Sequence, residues 1–231
     1  MGRAGPPAGR VYGRRRGRRL GSKKAELLGS DFRKLSILLP DPPERLDPLS
    51  LFDPHIRSVC LEIGFGGGEH LAAQAAAHPD MGYIGCEPFL NGVSNLLALL
   101  KEGEQRNVRI FSDDARLLLQ VLSEASLAGA FLLFPDPWPK RRHERRRFLG
   151  QALDLLAKSL TDDAEFRIAT DHPALGTWME EVMAASPDFM LVDRAASRPE
   201  AWQPTRYEAK ALAAGRRPVY LSYRRVRRPT T

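Results

Sequence analysis

The sequence predicts an α/β fold: a mostly parallel, twisted sheet with helices on both faces and an antiparallel last strand. Three observations carry this. Short apolar strands alternate with amphipathic helices between residues 58 and 185, the pattern of serial β-α-β units. A glycine-rich turn, Gly64-Phe65-Gly66-Gly67-Gly68, joins the first strand to the first helix, where such sheets place their ligands. Finally, 231 residues at 43% hydrophobic content suffice for one well-buried domain and are short for two.

Residues 1–39 read as a basic, largely mobile arm rich in Gly, Pro and Arg, and residues 40–231 as a single folded domain. Prolines 40, 42, 43 and 54 punctuate the lead into the folded domain. Ser58–Ile63 is a short apolar strand, and 67–77 an alanine-rich helix. Strand 83–87 and helix 90–101 follow, then strand 108–112 and helix 115–122. Strand 130–134 precedes a helix over 144–160, and strand 165–170 one over 174–185. Residues 190–192 and 219–223 are the candidate final strands. Cys60 and Cys86 lie in apolar strand segments and read as small buried hydrophobes, not as a disulfide or metal pair; no metal is expected. No apolar run approaches a membrane span, and the start has no secretory apolar core. Its arginine-rich, acid-free character would also suit an organelle transit peptide; the default expectation is a cytoplasmic protein.

Charge is concentrated. Net charge is +7, yet the first 24 residues hold nine Lys and Arg and no acid. With those set aside, 26 cations face 28 acids. Two further clusters are Lys140-Arg141-Arg142-His143-Glu144-Arg145-Arg146-Arg147 and the terminal Arg224, Arg225, Arg227 and Arg228. Such clustering suits a polyanion, because each neutralised phosphate releases counterions. A solubilising tail is the plainer reading of a charged terminus.

The glycine turn alone is shared with dinucleotide-binding folds. Three details separate the two. A dinucleotide fingerprint wants glycine at position 69, and this chain has Glu69. Glu62, just before the turn, would repel a pyrophosphate but suits a sulfonium and an amino group. Glu87 ends the second strand, where a carboxylate holds ribose hydroxyls, and Asp113-Asp114-Ala115 follows the third, where an acid accepts from an adenine amino group. Each acid alone is explained as a helix N-cap. Together they fit S-adenosylmethionine better than a phosphate-bearing cofactor, with Gly64 and Gly66 shaping the turn.

After the fourth strand, Phe134-Pro135-Asp136-Pro137-Trp138-Pro139 leads into the basic cluster. Three prolines in five residues fix a loop at the cleft rim and hold a buried Asp136. Trp138 stacks on a base or plugs the loop from below; the sequence supports both equally.

The run FPDPWPKRRHERRR, with LEIGFGGG upstream, closely resembles the bacterial tRNA (guanine-7-)-methyltransferase family. The likeness extends to GCEPFLNGV, SDDARLLL, Ala169-Thr170-Asp171, ASRPEAWQPTRYEAKA and the arm YGRRRGR, covering nearly the whole chain. It implies a Rossmann-like class I methyltransferase that transfers the methyl of S-adenosylmethionine to guanine N7 in the tRNA variable loop, leaving S-adenosylhomocysteine. Carried over, Glu62, Glu87 and Asp114 bind cofactor, and Asp136 sits at the cofactor–substrate junction as the active-site residue. Lys140, Asp171, Thr205, Arg206, Tyr207 and Glu208 contact substrate, and Arg142, His143, Glu144, Arg145, Arg146 and Arg147 face the RNA. Ala211 stands where the family often has glycine. The implied partner is tRNA, with no membrane and no obligatory protein subunit, as a monomer or homodimer. Two rival functions remain: methylation of another RNA or a small molecule, and RNA binding without catalysis.

Overall fold

The computed structural model describes residues 15, 17, 19, 21–39, 44–138, 147–200 and 202–229. Among them, seven strands form one sheet in the order β3-β2-β1-β4-β5-β7-β6. These are β1 (Ser58–Ile63), β2 (Met81–Cys86), β3 (Val108–Phe111), β4 (Leu127–Leu133), β5 (Leu160–Thr170), β6 (Phe189–Ala195) and β7 (Val219–Arg225). Strands β1 to β5 are parallel, and β7 runs antiparallel between β5 and β6. The order steps outward from β1 in both directions, so the switch point lies between β1 and β4.

Helices cover both faces, as the strand–helix alternation requires. On one face α3 (Glu69–Ala77) and α4 (Leu90–Glu102) pack over Tyr83, Val108 and Ile110. On the other, α5 (Ala115–Val121), α6 (Leu149–Ser159) and α7 (Pro173–Ala184) cover Leu61, Ile84, Leu132, Phe166 and Ile168. The central strands read as continuous apolar runs because both faces are buried.

Part of the stretch that reads as an arm is helical. Residues 22–35 form α1 (Ser22–Gly29) and α2 (Asp31–Leu35), and α1 packs on α4 through the buried Leu27. Beyond α2, the Ile37 N–H donates to the Ile110 carbonyl at 2.8 Å. Residues 36–37 therefore cover the edge of β3, which would otherwise present unpaired backbone groups. The helix expected from residue 144 begins at Leu149; residues 139–146 lie outside the described set. An eighth helix, α8 (Arg206–Ala213), sits between β6 and β7. No described helix is long and apolar enough to cross a membrane.

Candidate functional site

The carboxyl ends of β1 to β4 open on a cleft of about 440 Å³. Its wall is set by the turn after β1. Gly66 holds a left-handed φ of 58°, and a Cβ there would lie 2.6 Å from the Tyr207 ring. Helix α4 supports the turn from behind. A Cβ on Gly92 would stand 2.0 Å from the Gly66 carbonyl oxygen, so only glycine lets α4 approach this closely.

Glu87 ties these pieces together. One carboxylate oxygen accepts the Gly66 N–H at 2.8 Å and the other the Phe89 N–H at 2.9 Å. Burial raises its pKa above the ordinary carboxylate value; the two N–H donors oppose this, and the charges of Asp136 and Glu62 add to the rise. A cationic ligand is what such a group of carboxylates would favour.

Asp114 is the N-cap of α5, accepting the Arg116 N–H at 3.0 Å, and forms an ion pair with the Arg116 guanidinium. Asp113 accepts the Asp114 N–H at 2.8 Å. It also holds Arg15 from the arm, through bonds of 2.9 and 3.1 Å. The Arg15 carbonyl in turn accepts the Leu90 N–H, and the Gly17 N–H donates to Asn91. Both acids thus carry capping and pairing duties beside their place in the cleft wall.

Gly64, Gly66, Glu87, Asp113, Asp114, Ala115 and Asp136 all line this one cleft. Glu62 does not. It is buried beside the turn with one oxygen 2.8 Å from His70 Nδ1. The donor set and the cleft suit S-adenosylmethionine: carboxylates for ribose and adenine donors, a glycine turn for close approach, and excess negative charge for a cation.

On the opposite wall, Phe134 and Trp138 take left-handed φ values of 50° and 40°, bending the chain at both ends of the proline loop. The bends turn Asp136 outward. It is exposed in the cleft and not buried, because the prolines rigidify the backbone without enclosing the side chain. Trp138 is half-buried and lines the cleft.

The substrate-side residues divide. Tyr207 reaches the cleft, and Arg206 lies over its ring at 5.0 Å. Thr205 and Glu208 instead close a capping box at the start of α8. Glu208 also accepts from Arg198 at 3.0 Å and from the Tyr220 hydroxyl at 2.8 Å. Asp171 is paired with Arg216. Arg147, expected to face RNA, is buried with its guanidinium 4.8 Å above the Trp178 ring, anchoring the basic segment to α7. Lys140, Arg142, His143, Glu144, Arg145 and Arg146 lie outside the described residues.

The C-terminal arginines are largely spent on the fold. Arg225 is buried against Asp188 and the Ala157 carbonyl. Arg227 pairs with Asp163, while Arg228 pairs with Asp162 and accepts the role of cap for α6, donating to the Ala157 and Lys158 carbonyls. Their spacing gives no hint of this, because the partners of Arg227 and Arg228 lie 64 to 71 residues away. Sequence reasoning also missed His70, Gly92 and the Arg15 contact. The Thr-x-x-Glu capping signature of α8 was available and would have revealed that helix.

The strand order, with acids beyond three consecutive parallel strands, defines a class I methyltransferase. A family model described as a putative methyltransferase matches residues 56–221. The solved structure of the 16S rRNA methyltransferase KamB superposes with a TM-score of 0.57 at 16% identity, over 75% of this chain and 90% of its own. An rRNA methylase from Streptococcus thermophilus gives 0.53 at 11% identity, over 74% and 88%. The tRNA (guanine-N(7)-)-methyltransferase of Paramagnetospirillum magneticum is 44% identical, over 97% of this chain and 96% of its own. That of Azorhizobium caulinodans is 46% identical, over 94% and 96%. The chain belongs to the tRNA (guanine-N(7)-)-methyltransferase family.

Proposed function

We propose that the chain transfers the methyl group of S-adenosylmethionine to N7 of the variable-loop guanine of tRNA, giving 7-methylguanosine. The observation that carries this reading is Asp136, exposed in the same cleft as Glu87 and near enough to raise its pKa. S-adenosylmethionine supplies an electrophilic methyl on a cationic sulfur.

Guanine N7 presents an unprotonated lone pair, so no general base is required. The chain's task is to hold that lone pair in line with the methyl group, and positioning of this kind lowers barriers substantially. The base becomes positive as the new bond forms. Asp136 faces that developing charge and stabilises it. Asp171, the rival for this role, is held by Arg216 outside the cleft lining. Glu87, Asp113 and Asp114 orient the adenosine end. The basic segment after Trp138 and the arm hold RNA phosphates. This reading places the protein in the cytoplasm, acting as a monomer or homodimer without an obligatory partner subunit or metal.

Incubating the protein with bulk unmodified tRNA and methyl-labelled cofactor, followed by nucleoside analysis, tests it. Labelled 7-methylguanosine is the expected product. A different labelled nucleoside would redirect the reading to another RNA methylation, and no transfer would favour a binding protein. Asp136→Ala should lower kcat by about 10²-fold, and Asp171→Ala by much less; equal, wild-type turnover in both would refute the assignment.

A further inference from the structure

We propose that His70 is a positioning residue: it fixes the Glu62 carboxylate, which stands behind the cleft lining next to Ile63 and Gly64, so that the oxygen not bonded to His70 receives the ammonium of the cofactor's methionine end. This rests on reading the cleft as the S-adenosylmethionine site.

The two side chains are each about 4% exposed, and His70 Nδ1 lies 2.8 Å from Glu62 Oε2. They come from opposite sides of the glycine turn, Glu62 from β1 and His70 from the first turn of α3. The imidazole is itself held on two sides. Gln74, one helical turn on, places its Nε2 3.5 Å from His70 Nε2. Phe131 of β4 meets the ring edge-on at a centroid distance of 5.1 Å.

If the Gln74 amide donates to Nε2, the proton sits on Nδ1 and is donated to Glu62. That hydrogen bond removes the carboxylate's rotational freedom. This arrangement is unusual for mere packing. A buried carboxylate close enough to raise the pKa of Glu87 is costly unless it is hydrogen-bonded or paired, and His70 meets only one of its two oxygens. An apolar residue at position 70 would pack equally well against Phe131 and leave Glu62 free to swing.

Ligands that share the adenosine end and differ at the methionine end provide the test. S-adenosylhomocysteine carries the amino group, and 5′-methylthioadenosine lacks the whole amino-acid portion. Calorimetry should compare both ligands on the full chain and on three variants. His70→Leu removes the donor. His70→Asn retains a donor near the Nδ1 position, and His70→Gln shifts it toward Nε2.

S-adenosylhomocysteine affinity should fall at least tenfold in His70→Leu and His70→Gln and return to within about threefold of the parent in His70→Asn. Affinity for 5′-methylthioadenosine should not change in any variant. Equal weakening of both ligands would mean that His70 only supports the fold, and unchanged S-adenosylhomocysteine affinity would mean that Glu62 needs no orienting; either overturns the proposal. Should His70→Leu fail to fold, the contrast between Asn and Gln, both polar, decides the matter alone. Failure of the parent protein to bind either ligand would instead overturn the reading of the cleft.

Discussion

Gly92→Ala offers a test in which helix propensity and tertiary structure predict opposite signs. Gly92 lies in the first turn of α4, where alanine would ordinarily stabilise a helix by up to about 1 kcal/mol. Here the added Cβ would stand 2.0 Å from the Gly66 carbonyl oxygen, against an ordinary contact beginning at 3.4 Å. The glycine turn or the helix must therefore retreat by about 1.4 Å. A backbone carbonyl in a turn pinned by Glu87 cannot do so cheaply. Overpacking of this kind costs about 1–3 kcal/mol, and the 2.8 Å Gly66–Glu87 bond would be stretched out of range. The net expectation is a loss of about 1–2 kcal/mol, a fall in Tm of roughly 2–8 °C for a chain of this size. S-adenosylhomocysteine affinity should fall by about tenfold or more, equivalent to roughly 1.4 kcal/mol. Thermal denaturation and calorimetry measure the two effects. Gly29→Ala is the control: it closes α1 with nothing within 4 Å of the new Cβ, and should stabilise slightly. A Gly92→Ala protein as stable as the parent, with unchanged ligand affinity, would refute the reasoning.

Three more expectations follow from particular contacts. Thr205→Ala removes the α8 cap and should cost about 1 kcal/mol, with Thr205→Ser restoring it; stability loss in the alanine variant without rescue by serine would speak against the capping box. Arg225→Met breaks a buried pair and should cost about 2–3 kcal/mol, while the slope of log RNA affinity against log salt stays unchanged; a shallower slope would show that Arg225 meets phosphate. Burial raises the Glu87 pKa, so its contribution to stability is present in acid and lost as pH rises through that raised value. A bound sulfonium favours the charged form and lowers the pKa again, so cofactor binding in mild acid should release protons. Apparent binding enthalpies independent of buffer ionisation enthalpy would rule this out.

The central sheet was legible because its strands are buried on both faces and read as apolar runs. Ser58–Ile63 falls where the sequence puts it to the residue. Strand β6 was seen only at Met190–Val192, since Asp193 and Arg194 belong to an exposed edge that has no apolar pattern. The helices α1 and α2 went unseen because basic composition masked a few apolar anchors such as Leu27. At the site, residues that act through backbone geometry were readable: Gly64, Gly66 and the acids after each strand. Those acting through tertiary pairing were not. Nothing in the spacing of Glu62 and His70, or of Asp113 and Arg15, announces that they touch. The basic clusters show the converse: a linear count cannot distinguish an arginine that meets solvent from one such as Arg147 lying over Trp178.

The pairing of the C-terminal arginines has an electrical consequence. Asp162 and Asp163 stand at the amino end of β5, and Arg227 and Arg228 cancel their charge there. The arm at Arg15 and the segment following Trp138 both spring from the opposite pole, beyond the carboxyl ends of the strands. In a protein of net charge +7, the charges of Arg227 and Arg228 are thus cancelled at one pole, and two basic sequences adjoin Arg15 and Trp138 at the other. A charge distribution of this kind experiences a torque as well as an attraction in the field of a polyanion, and would turn the cleft toward it before any contact is made.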